Sequence, residues 1–364
     1  MSTDDLSDIW PKELDGRLQP ERVIARGGFA TVARAWHVVL ERAVAVKILH
    51  PEHVKDPVVR SRFLQEAQVV AKLDHPHVVK MLDYGASETH AWIVLPFVEG
   101  ESLRARITTA PLQWREAAKF GREIASAMQA IHLSGVVHRD LKPENVLIDN
   151  DNRSMLTDFG MSKPRRSGVT TGAGVILGTP GYIAPEAVKE SPVSPASDMY
   201  SLGILLWEMT AGFRPFERND PHDKATTRTR MEELMAARDL DPPRLGAHVK
   251  DVPRSLEGLV ARLLERSPID RPRADQVIEE LAWMESGATS DLPRGEVGLA
   301  TVRVTRPSRT DEASLTASAV RRRTANMPST TKTTSKAWPT WAWLLIGLLT
   351  FNVLLGLWLA LRKH

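Results

Sequence analysis

The segment His138-Arg139-Asp140-Leu141-Lys142-Pro143-Glu144-Asn145 decides how the rest of the chain is interpreted. An apolar run follows it and leads to Asp158-Phe159-Gly160, and Ala184-Pro185-Glu186 stands further along the chain. Carboxylate and amide oxygens are the ligands that hard divalent cations prefer. A lone motif of this kind carries little weight, but chance does not place all three in this order and at this spacing.

Upstream, two runs of alternating hydrophobicity, around residues 22–32 and 42–49, predict the strands of a hairpin with a glycine turn. The turn reads Ala25-Arg26-Gly27-Gly28-Phe29-Ala30-Thr31-Val32. Glycines there let backbone N–H groups approach phosphates, although two glycines in a hairpin are also ordinary turn chemistry. Lys47 ends the strand-like Val44-Ala45-Val46-Lys47, and Glu66 falls within a helical pattern of apolar residues: Phe63, Ala67, Val70 and Ala71.

Together these motifs resemble the eukaryotic-like (Hanks-type) serine/threonine protein kinases of bacteria over about residues 18–284. The resemblance implies an α+β, bilobal protein kinase fold, with a small β-rich amino-terminal lobe and a larger, mostly α-helical carboxy-terminal lobe. It also implies an ATP-dependent phosphotransferase of signal transduction, which uses Mg²⁺, or alternatively Mn²⁺, to phosphorylate Ser and Thr hydroxyls of protein substrates and of itself.

The resemblance assigns roles to four catalytic residues. Asp140 is expected to accept the proton of the substrate hydroxyl. Lys142 is expected to contact the γ-phosphate, and it marks Ser/Thr rather than Tyr specificity. Lys47 is expected to bind the α- and β-phosphates while it is held by an ion pair with Glu66.

The same resemblance implies the nucleotide and metal contacts. Asn145 and Asp158 are the expected metal ligands. Leu95 is the expected gatekeeper, and Pro96 lacks an N–H but retains the carbonyl that adenine needs. The residues expected to contact ATP are Ile24, Ala25, Arg26, Gly27, Gly28, Phe29, Ala30, Thr31, Val32, Ala45, Lys47, Leu95, Pro96, Val98 and Leu147. Ala25 and Ala30 replace family glycines, and each is strained by about 1–2 kcal/mol if its position needs a positive φ.

Other positions are expected to be structural. Glu186 is expected to form a buried pair with Arg271, and Asp198 to anchor the catalytic-loop backbone. An apolar stack between the lobes is expected from Val70, Met81, His138 and Phe159.

The segment from Asp158 to Glu186 is expected to carry the activating phosphate. The resemblance makes Arg139 the partner of that phosphate. Thr171 is the first candidate phosphosite and Thr170 the second, whereas Thr179 is expected to face the substrate.

Composition excludes several function classes. The 42% hydrophobic and 26% charged residues exclude a mostly disordered chain, and zero cysteines exclude disulfides, zinc ribbons and cysteine nucleophiles. The net charge of +3 comes from the tail, because residues 286–336 carry nine Lys or Arg and four Asp or Glu. The folded part is therefore slightly acidic, which argues against nucleic-acid binding.

The resemblance and the composition together predict the domain organisation. We expect an N-terminal extension (1–17), a kinase domain (18–285), a flexible basic linker rich in Ser and Thr (286–340), a transmembrane helix (341–361) and a short extracytoplasmic tail (362–364). The uncharged residues of the predicted span reach across about 30 Å of hydrocarbon as a helix. More basic residues precede the span than follow it, which predicts a single-pass protein of the cell (inner) membrane with a cytoplasmic kinase domain.

The sequence also suggests dimer interfaces and alternative functions. Asn352, Gly356 and Ala360 share one face of the predicted span, which suggests a homodimer through that helix, and the kinase domain is a second candidate dimer interface. An alternative function is a pseudokinase-like ATP-binding scaffold that recruits partners to the membrane, and Ala25 and Ala30 are its sequence support. A small-molecule kinase of related fold is a further alternative.

Overall fold

The computed structural model describes residues 6, 9–158, 180–188, 193–216 and 242–287. The chain divides into two units, Met1–Thr289 and Ser290–His364, and every described residue lies in the first. The predicted membrane span and the predicted linker beyond residue 287 lie outside the described residues. Within the described ranges, no helix combines the length and the apolar character that crossing a membrane requires.

The amino-terminal lobe contains a five-stranded antiparallel sheet. Its strands are β1 (Leu18–Arg26), β2 (Ala30–His37), β3 (Arg42–Leu49), β4 (Asp83–Ala86) and β5 (Ala91–Pro96). They are ordered β1-β2-β3-β5-β4. A small three-stranded sheet follows, formed in order by β6 (Gly100–Ser102), β7 (Val146–Asp149) and β8 (Ser154–Leu156).

The predicted hairpin is wrong in one detail. The run around residues 22–32 is not a single strand, because the turn at residues 27–29 divides it between β1 and β2. The Gly27 N–H donates to the Ala30 carbonyl across that turn, at 2.9 Å. The second run matches β3, which pairs with β2 in register, Val46 opposite Ala33. The glycine turn therefore joins the first two of three consecutive strands.

The carboxy-terminal lobe is helical. The helices of the described chain are α1 (Pro51–Val54), α2 (Pro57–Val70), α3 (Leu103–Thr109), α4 (Trp114–Leu133), α5 (Pro185–Val188), α6 (Pro195–Ala211), α7 (Arg254–Leu263) and α8 (Ala274–Glu285). Only α1 and α2 belong to the amino-terminal lobe. The predicted two-lobe α+β architecture is thus confirmed, with a β-sheet lobe followed by a helical lobe.

Helix α2 begins and packs as its sequence dictates. The Asp56 carboxylate accepts from the backbone N–H groups of Val58 and Val59, at 2.8 and 3.3 Å, which satisfies two groups that a helix start leaves without partners. Phe63 and Ala67 of the predicted helical pattern are buried in the core. The prediction of a helix around Glu66 is therefore confirmed.

Helix α6 is the centre of the helical lobe. Nearly all its residues are buried, and it packs against both α4 and α7. A helix that is apolar on all sides is stable only when other elements surround it. Gly212 ends the helix at a φ of 79°, and a Cβ at this position would meet the Pro111 side chain at 2.8 Å. Glycine thus lets the chain turn away at this close contact.

Residues before β1 cover the outer face of the large sheet. Leu6, Trp10 and Leu14 are almost fully buried, and they pack in one cluster with Val46 of β3 and Trp92 of β5. The sequence predicts no packing role for the segment 1–17, because the spacing of Leu6, Trp10 and Leu14 does not indicate which surface they cover. The structure makes these side chains part of the core of the amino-terminal lobe.

This packing predicts that Leu14→Ala destabilises the protein by about 2–5 kcal/mol, because a buried leucine is lost and a cavity remains. The measurement is urea unfolding of the full-length protein. Leu133→Ala is the matched control, since Leu133 is 83% exposed, and we expect it to change the free energy of unfolding by less than about 0.5 kcal/mol. Equal, small effects of the two substitutions would contradict the packing role of the amino-terminal segment.

Candidate active site

A buried carboxylate holds the start of the segment that runs from His138 to Asn145. Asp198 of α6 is 1% exposed. Its Oδ2 accepts from the His138 backbone N–H at 2.8 Å, and its Oδ1 accepts from the Arg139 backbone N–H at 2.9 Å. The predicted anchoring role of Asp198 is confirmed. Arg139 has a φ of 64°, so this turn is held in a conformation that non-glycine residues rarely adopt.

The His138 side chain connects the same segment to the strand behind it. The imidazole is fully buried. Its Nε2 lies 3.3 Å from the Thr157 carbonyl oxygen, and its Nδ1 accepts from the Asp140 backbone N–H at 3.3 Å. Because a carbonyl only accepts, the proton is on Nε2. Val70 and Met81 lie in the main core, but Phe159 lies outside the described residues, so the stack between the lobes stays a prediction.

Three predicted site residues meet at the end of this segment. The Lys142 Nζ lies 3.1 Å from Asp140 Oδ2. The Asn145 amide donates from Nδ2 to the Asp140 carbonyl oxygen at 2.8 Å and to Asp140 Oδ2 at 3.2 Å. The carboxylate of Asp140 is thus oriented by an ammonium and an amide from its own loop.

A second ion pair links the two sheets at the site. The Lys47 Nζ on β3 donates to Asp158 Oδ1 at 2.8 Å. Asp158 follows β8 and has a φ of 56°. The side chain of Glu66, the predicted partner of Lys47, lies outside the described part of the chain. The structure therefore brings Lys47 to one predicted metal ligand, and the pairing with Glu66 stays a prediction.

Residues predicted to contact adenine lie on β3 and β5 of the large sheet and on β7 of the small sheet. Ala45 on β3 pairs in register with Leu95 on β5, and Pro96 is the last residue of that strand. Leu147 lies on β7, in the small sheet. The Phe97 N–H donates to the Ala43 carbonyl at 3.2 Å, which holds the connection after β5 against β3.

The glycine turn carries no strain at its two alanines. Ala25 lies near the end of β1, and Ala30 is the first residue of β2. Neither is among the described residues with a positive φ. The condition for strain, stated for these positions above, is therefore not met. A Cβ at Gly28 would meet no atom within 4 Å, so open space adjoins the turn.

The residues present fit a divalent cation together with a nucleotide. Asp158 offers a carboxylate, and Asn145 offers its amide oxygen because its nitrogen already donates to Asp140. In the described ranges, no three His, Asp or Glu side chains converge as a metal site. A site of one carboxylate and one amide suits Mg²⁺, which keeps several waters and takes phosphate oxygens as further ligands.

The segment expected to carry phosphate is mostly outside the described residues. Thr170, Thr171 and Thr179 all lie there, so these predictions are not tested. The described chain resumes at Pro180, where a short 3-10 turn ends at Tyr182. A contact between Arg139 and a phosphorylated side chain stays a prediction.

A buried ion pair closes the far end of that segment. Arg271 donates from NH1 and NH2 to the two carboxylate oxygens of Glu186, at 2.7 and 2.8 Å. The Arg271 side chain is fully buried, and Ser197 of α6 also donates to Glu186 at 2.8 Å. Burial acts to raise the pKa of Glu186, but the bonds and charge of Arg271, with the Ser197 hydroxyl, hold that pKa below its usual value. The predicted buried pair is confirmed.

Sequence reasoning missed a second, partly buried polar cluster. Arg104 of α3 donates to Glu144 at 2.8 Å, to Glu208 at 2.9 Å and to the Tyr182 hydroxyl at 2.7 Å. The Tyr182 hydroxyl donates to Glu208, and burial followed by the Glu208 charge raises the pKa of Tyr182. A glutamate within the apolar helix α6 was the available signal. Through Glu144, the cluster connects the catalytic segment, residues 138–145, to α3 and α6.

Comparisons with known proteins agree with this geometry. A family model described as "Protein kinase domain" matches residues 18–284. The PknL serine/threonine-protein kinase of Mycobacterium tuberculosis is 36% identical over 259 residues, 71% of this chain and 63% of PknL. Serine/threonine-protein kinase pkn2 of Myxococcus xanthus is 36% identical over 287 residues, and PrkC of Bacillus subtilis is 35% identical over 261 residues.

These relatives are longer than the matched region. The alignment covers 77% of this chain and 34% of pkn2, and 71% of this chain and 39% of PrkC. Among solved structures, the Mycobacterium tuberculosis PknI kinase domain gives a TM-score of 0.56 at 25% identity, covering 73% of this chain and 96% of that one. A double mutant of the same domain gives a TM-score of 0.58 at 24% identity, with 75% and 97% covered, which supports a shared fold.

The buried pair predicts that Glu186→Gln destabilises the protein by about 3–5 kcal/mol at pH 7, because it leaves the Arg271 cation buried without its counter-charge. The matched control is Asp275→Asn, which removes an exposed partner of Arg273 and costs less than about 1 kcal/mol. Chemical unfolding of full-length protein measures both.

The same pair contributes to acid sensitivity. Because the folded-state pKa of Glu186 is depressed, its contribution is complete above the ordinary glutamate value of about 4.3 and is lost as pH falls through the folded-state pKa. The stability difference between wild type and Glu186→Gln should therefore narrow below pH 4. A difference that stays constant down to pH 3 would contradict this assignment.

Proposed function

The chain belongs to the protein kinase domain family, and on that basis we propose that it is an active serine/threonine protein kinase. It transfers the γ-phosphate of ATP to Ser and Thr hydroxyls of proteins, including its own. The observation that carries the proposal is that the side chains of Lys142 and Asn145 both lie within hydrogen-bond distance of the Asp140 carboxylate. Phosphoryl transfer mainly needs such positioning and charge neutralisation.

The proposed roles follow from the charges present. Asp140 orients the substrate hydroxyl and accepts its proton, and its carboxylate is already directed by the two neighbouring side chains. Lys142, beside that carboxylate, neutralises charge on the transferred phosphoryl group. Lys47 supplies a cation for the other phosphates. Its bond to Asp158 keeps the ammonium at the site.

A divalent cation and a nucleotide complete the proposed site. Asp158 and Asn145 would hold Mg²⁺ or Mn²⁺, which supplies charge neutralisation at the phosphates. The proposed nucleotide position extends from the glycine turn to Pro96 and Val98 after β5. Ala45 on β3 and Leu147 on β7 are the proposed apolar contacts of the adenine ring.

The scaffold alternative loses its support at the glycine turn. Its only sequence support was the replacement of family glycines by Ala25 and Ala30, and neither alanine has the positive φ that would strain it. No observation among the described residues favours a small-molecule substrate either. An active protein kinase is therefore the single function proposed.

Autophosphorylation is proposed at Thr171 first and Thr170 second. Arg139 lies beside Asp140 and offers a planar, bidentate partner for a phosphate on either residue. Specificity for Ser and Thr rests on Lys142, and the relatives reported above carry serine/threonine kinase names.

Attachment to the cell (inner) membrane is a further part of the proposal. It rests on the uncharged residues 341–361, with the kinase domain on the cytoplasmic side because basic residues are enriched before that span. A predicted linker of about 50 residues would keep kinase domains close together and favour phosphorylation in trans. Dimers through Asn352, Gly356 and Ala360 are also proposed, because these residues share one face of the predicted span.

For the kinase activity, we expect purified full-length protein with ATP and Mg²⁺ to incorporate phosphate at Thr171 or Thr170, mapped by mass spectrometry. Asp140→Asn should lower the rate by about 10²- to 10⁴-fold, because the group that accepts the proton is lost. Asp151→Asn is the control, since Asp151 is an exposed acid in a surface turn. Equal rates in wild type and Asp140→Asn would contradict the proposal.

For the membrane attachment, we expect full-length protein to remain in the bacterial membrane fraction after alkaline carbonate washing, because a spanning helix resists extraction. A variant ending at residue 340 should appear in the soluble fraction. Recovery of both forms in the same fraction would contradict the proposed anchor. Protease digestion of spheroplasts, which should spare the kinase domain, tests the orientation.

A further inference from the structure

The glycine turn is attached to the segment that follows β3 by two histidines. His50 comes directly after β3, and His53 lies in α1. The His50 backbone N–H donates to the Phe29 carbonyl at 2.9 Å, and the His53 Nε2 lies 3.2 Å from the Gly28 carbonyl oxygen. A carbonyl only accepts, so His53 Nε2 donates this bond. Two successive carbonyls of the turn are thus bound by groups of one short segment.

Ring contacts reinforce these bonds. The Phe29 and His53 rings stack with centroids 4.6 Å apart and an interplanar angle of 28°. The His50 ring is stacked beyond His53, 6.4 Å away and at 14°. His50 Nε2 also lies 3.1 Å from the Thr31 hydroxyl, and Thr31 is buried. The turn is therefore held through its backbone and through its one aromatic side chain.

The segment that holds the turn is itself part of the core. Val54, the last residue of α1, is 3% exposed and packs in the main core cluster. The backbone N–H groups of His53 and Val54 both donate to the His50 carbonyl, at 3.0 and 3.1 Å. The side chains of His50 and His53 therefore extend from a segment that is packed against the core through Val54.

The peptide geometry gives these contacts a consequence for ligand binding. In a trans peptide unit, the C=O and the following N–H point in opposite directions. Because the Gly28 carbonyl accepts from His53, the Phe29 N–H points away from His53. Because the Phe29 carbonyl accepts from His50, the Ala30 N–H points away from His50. Both N–H groups belong to the turn beside which Gly28 leaves open space.

We propose that His53, supported by His50, is a positioning residue for ATP. It holds the peptide units from Gly28 to Ala30 so that the N–H groups of Phe29 and Ala30 are presented to the nucleotide phosphates. The inference rests on the proposed kinase function, which places those phosphates at the turn. Backbone donors that are already oriented before binding lose less conformational freedom when the ligand arrives.

The test is His53→Ala in the full-length protein, with ATP and Mg²⁺ binding measured by calorimetry. Loss of one hydrogen bond and one ring contact should weaken ATP binding by about three- to tenfold. Adenosine, which has no phosphates, should bind wild type and variant equally. The KM for ATP should rise by a similar factor, with kcat and the KM for the protein substrate unchanged.

Two further variants separate the contacts and one controls for surface effects. His53→Gln retains an N–H donor and should recover part of the ATP affinity, whereas His53→Phe retains only the ring contact and should recover less. His90→Ala removes a histidine at the turn between β4 and β5, and it should bind ATP as wild type does. Faster hydrogen exchange in His53→Ala at the His50 amide, which donates to the Phe29 carbonyl, would support the same assignment.

The outcomes separate this inference from the proposed function. Unchanged ATP affinity in His53→Ala, or an equal loss of adenosine affinity, would overturn the positioning role even if the wild type is an active kinase. A wild type that binds ATP without transferring phosphate would overturn the proposed function, and the ATP and adenosine affinities would still decide the role of His53. A wild type that binds no ATP would overturn both.

Discussion

The carboxylate of Asp198 is the constraint on which the candidate site depends. It accepts backbone N–H groups of His138 and Arg139 in the interior of the helical lobe, where an uncompensated charge is costly. These bonds hold Arg139 at a positive φ and so direct the chain toward Asp140. Helix α6, which carries this carboxylate, is buried on all sides. Because a packed helix gives its side chains little freedom, the carboxylate stays in place.

Two ion-pair clusters extend this framework to the residues where the described chain resumes after residue 179. The Glu186–Arg271 pair joins α5 to the turn before α8, and Arg104 joins the catalytic segment to Glu208 of α6. Pairs of this kind contribute little net stability when complete, but removing one partner is costly. They therefore specify where the chain must pass. Tyr182 and Glu186 are thus held in place by charged groups.

The amino-terminal lobe depends on packing instead. Residues of the segment before β1 cover the outer face of the sheet, while its inner face carries Lys47 and Ala45 toward the candidate site. One face of β3 thus contributes to stability and the other to chemistry, since side chains alternate along a strand. The contacts of His53 connect the glycine turn to the core. The helix that carries His53, α1, packs in the main core cluster through Val54.

The sequence alone determined the two-lobe fold, the residues from His138 to Asn145 and the Glu186–Arg271 pair, because short motifs carry the family resemblance that implies them. It failed for the segment before β1, because the spacing of Leu6, Trp10 and Leu14 does not indicate which surface these side chains cover. It also left open whether the alanines of the glycine turn are strained, and it gave no sign that His53 binds Gly28. Only the tertiary structure decided these points, because backbone dihedrals and contacts between distant residues arise when strands and helices pack together.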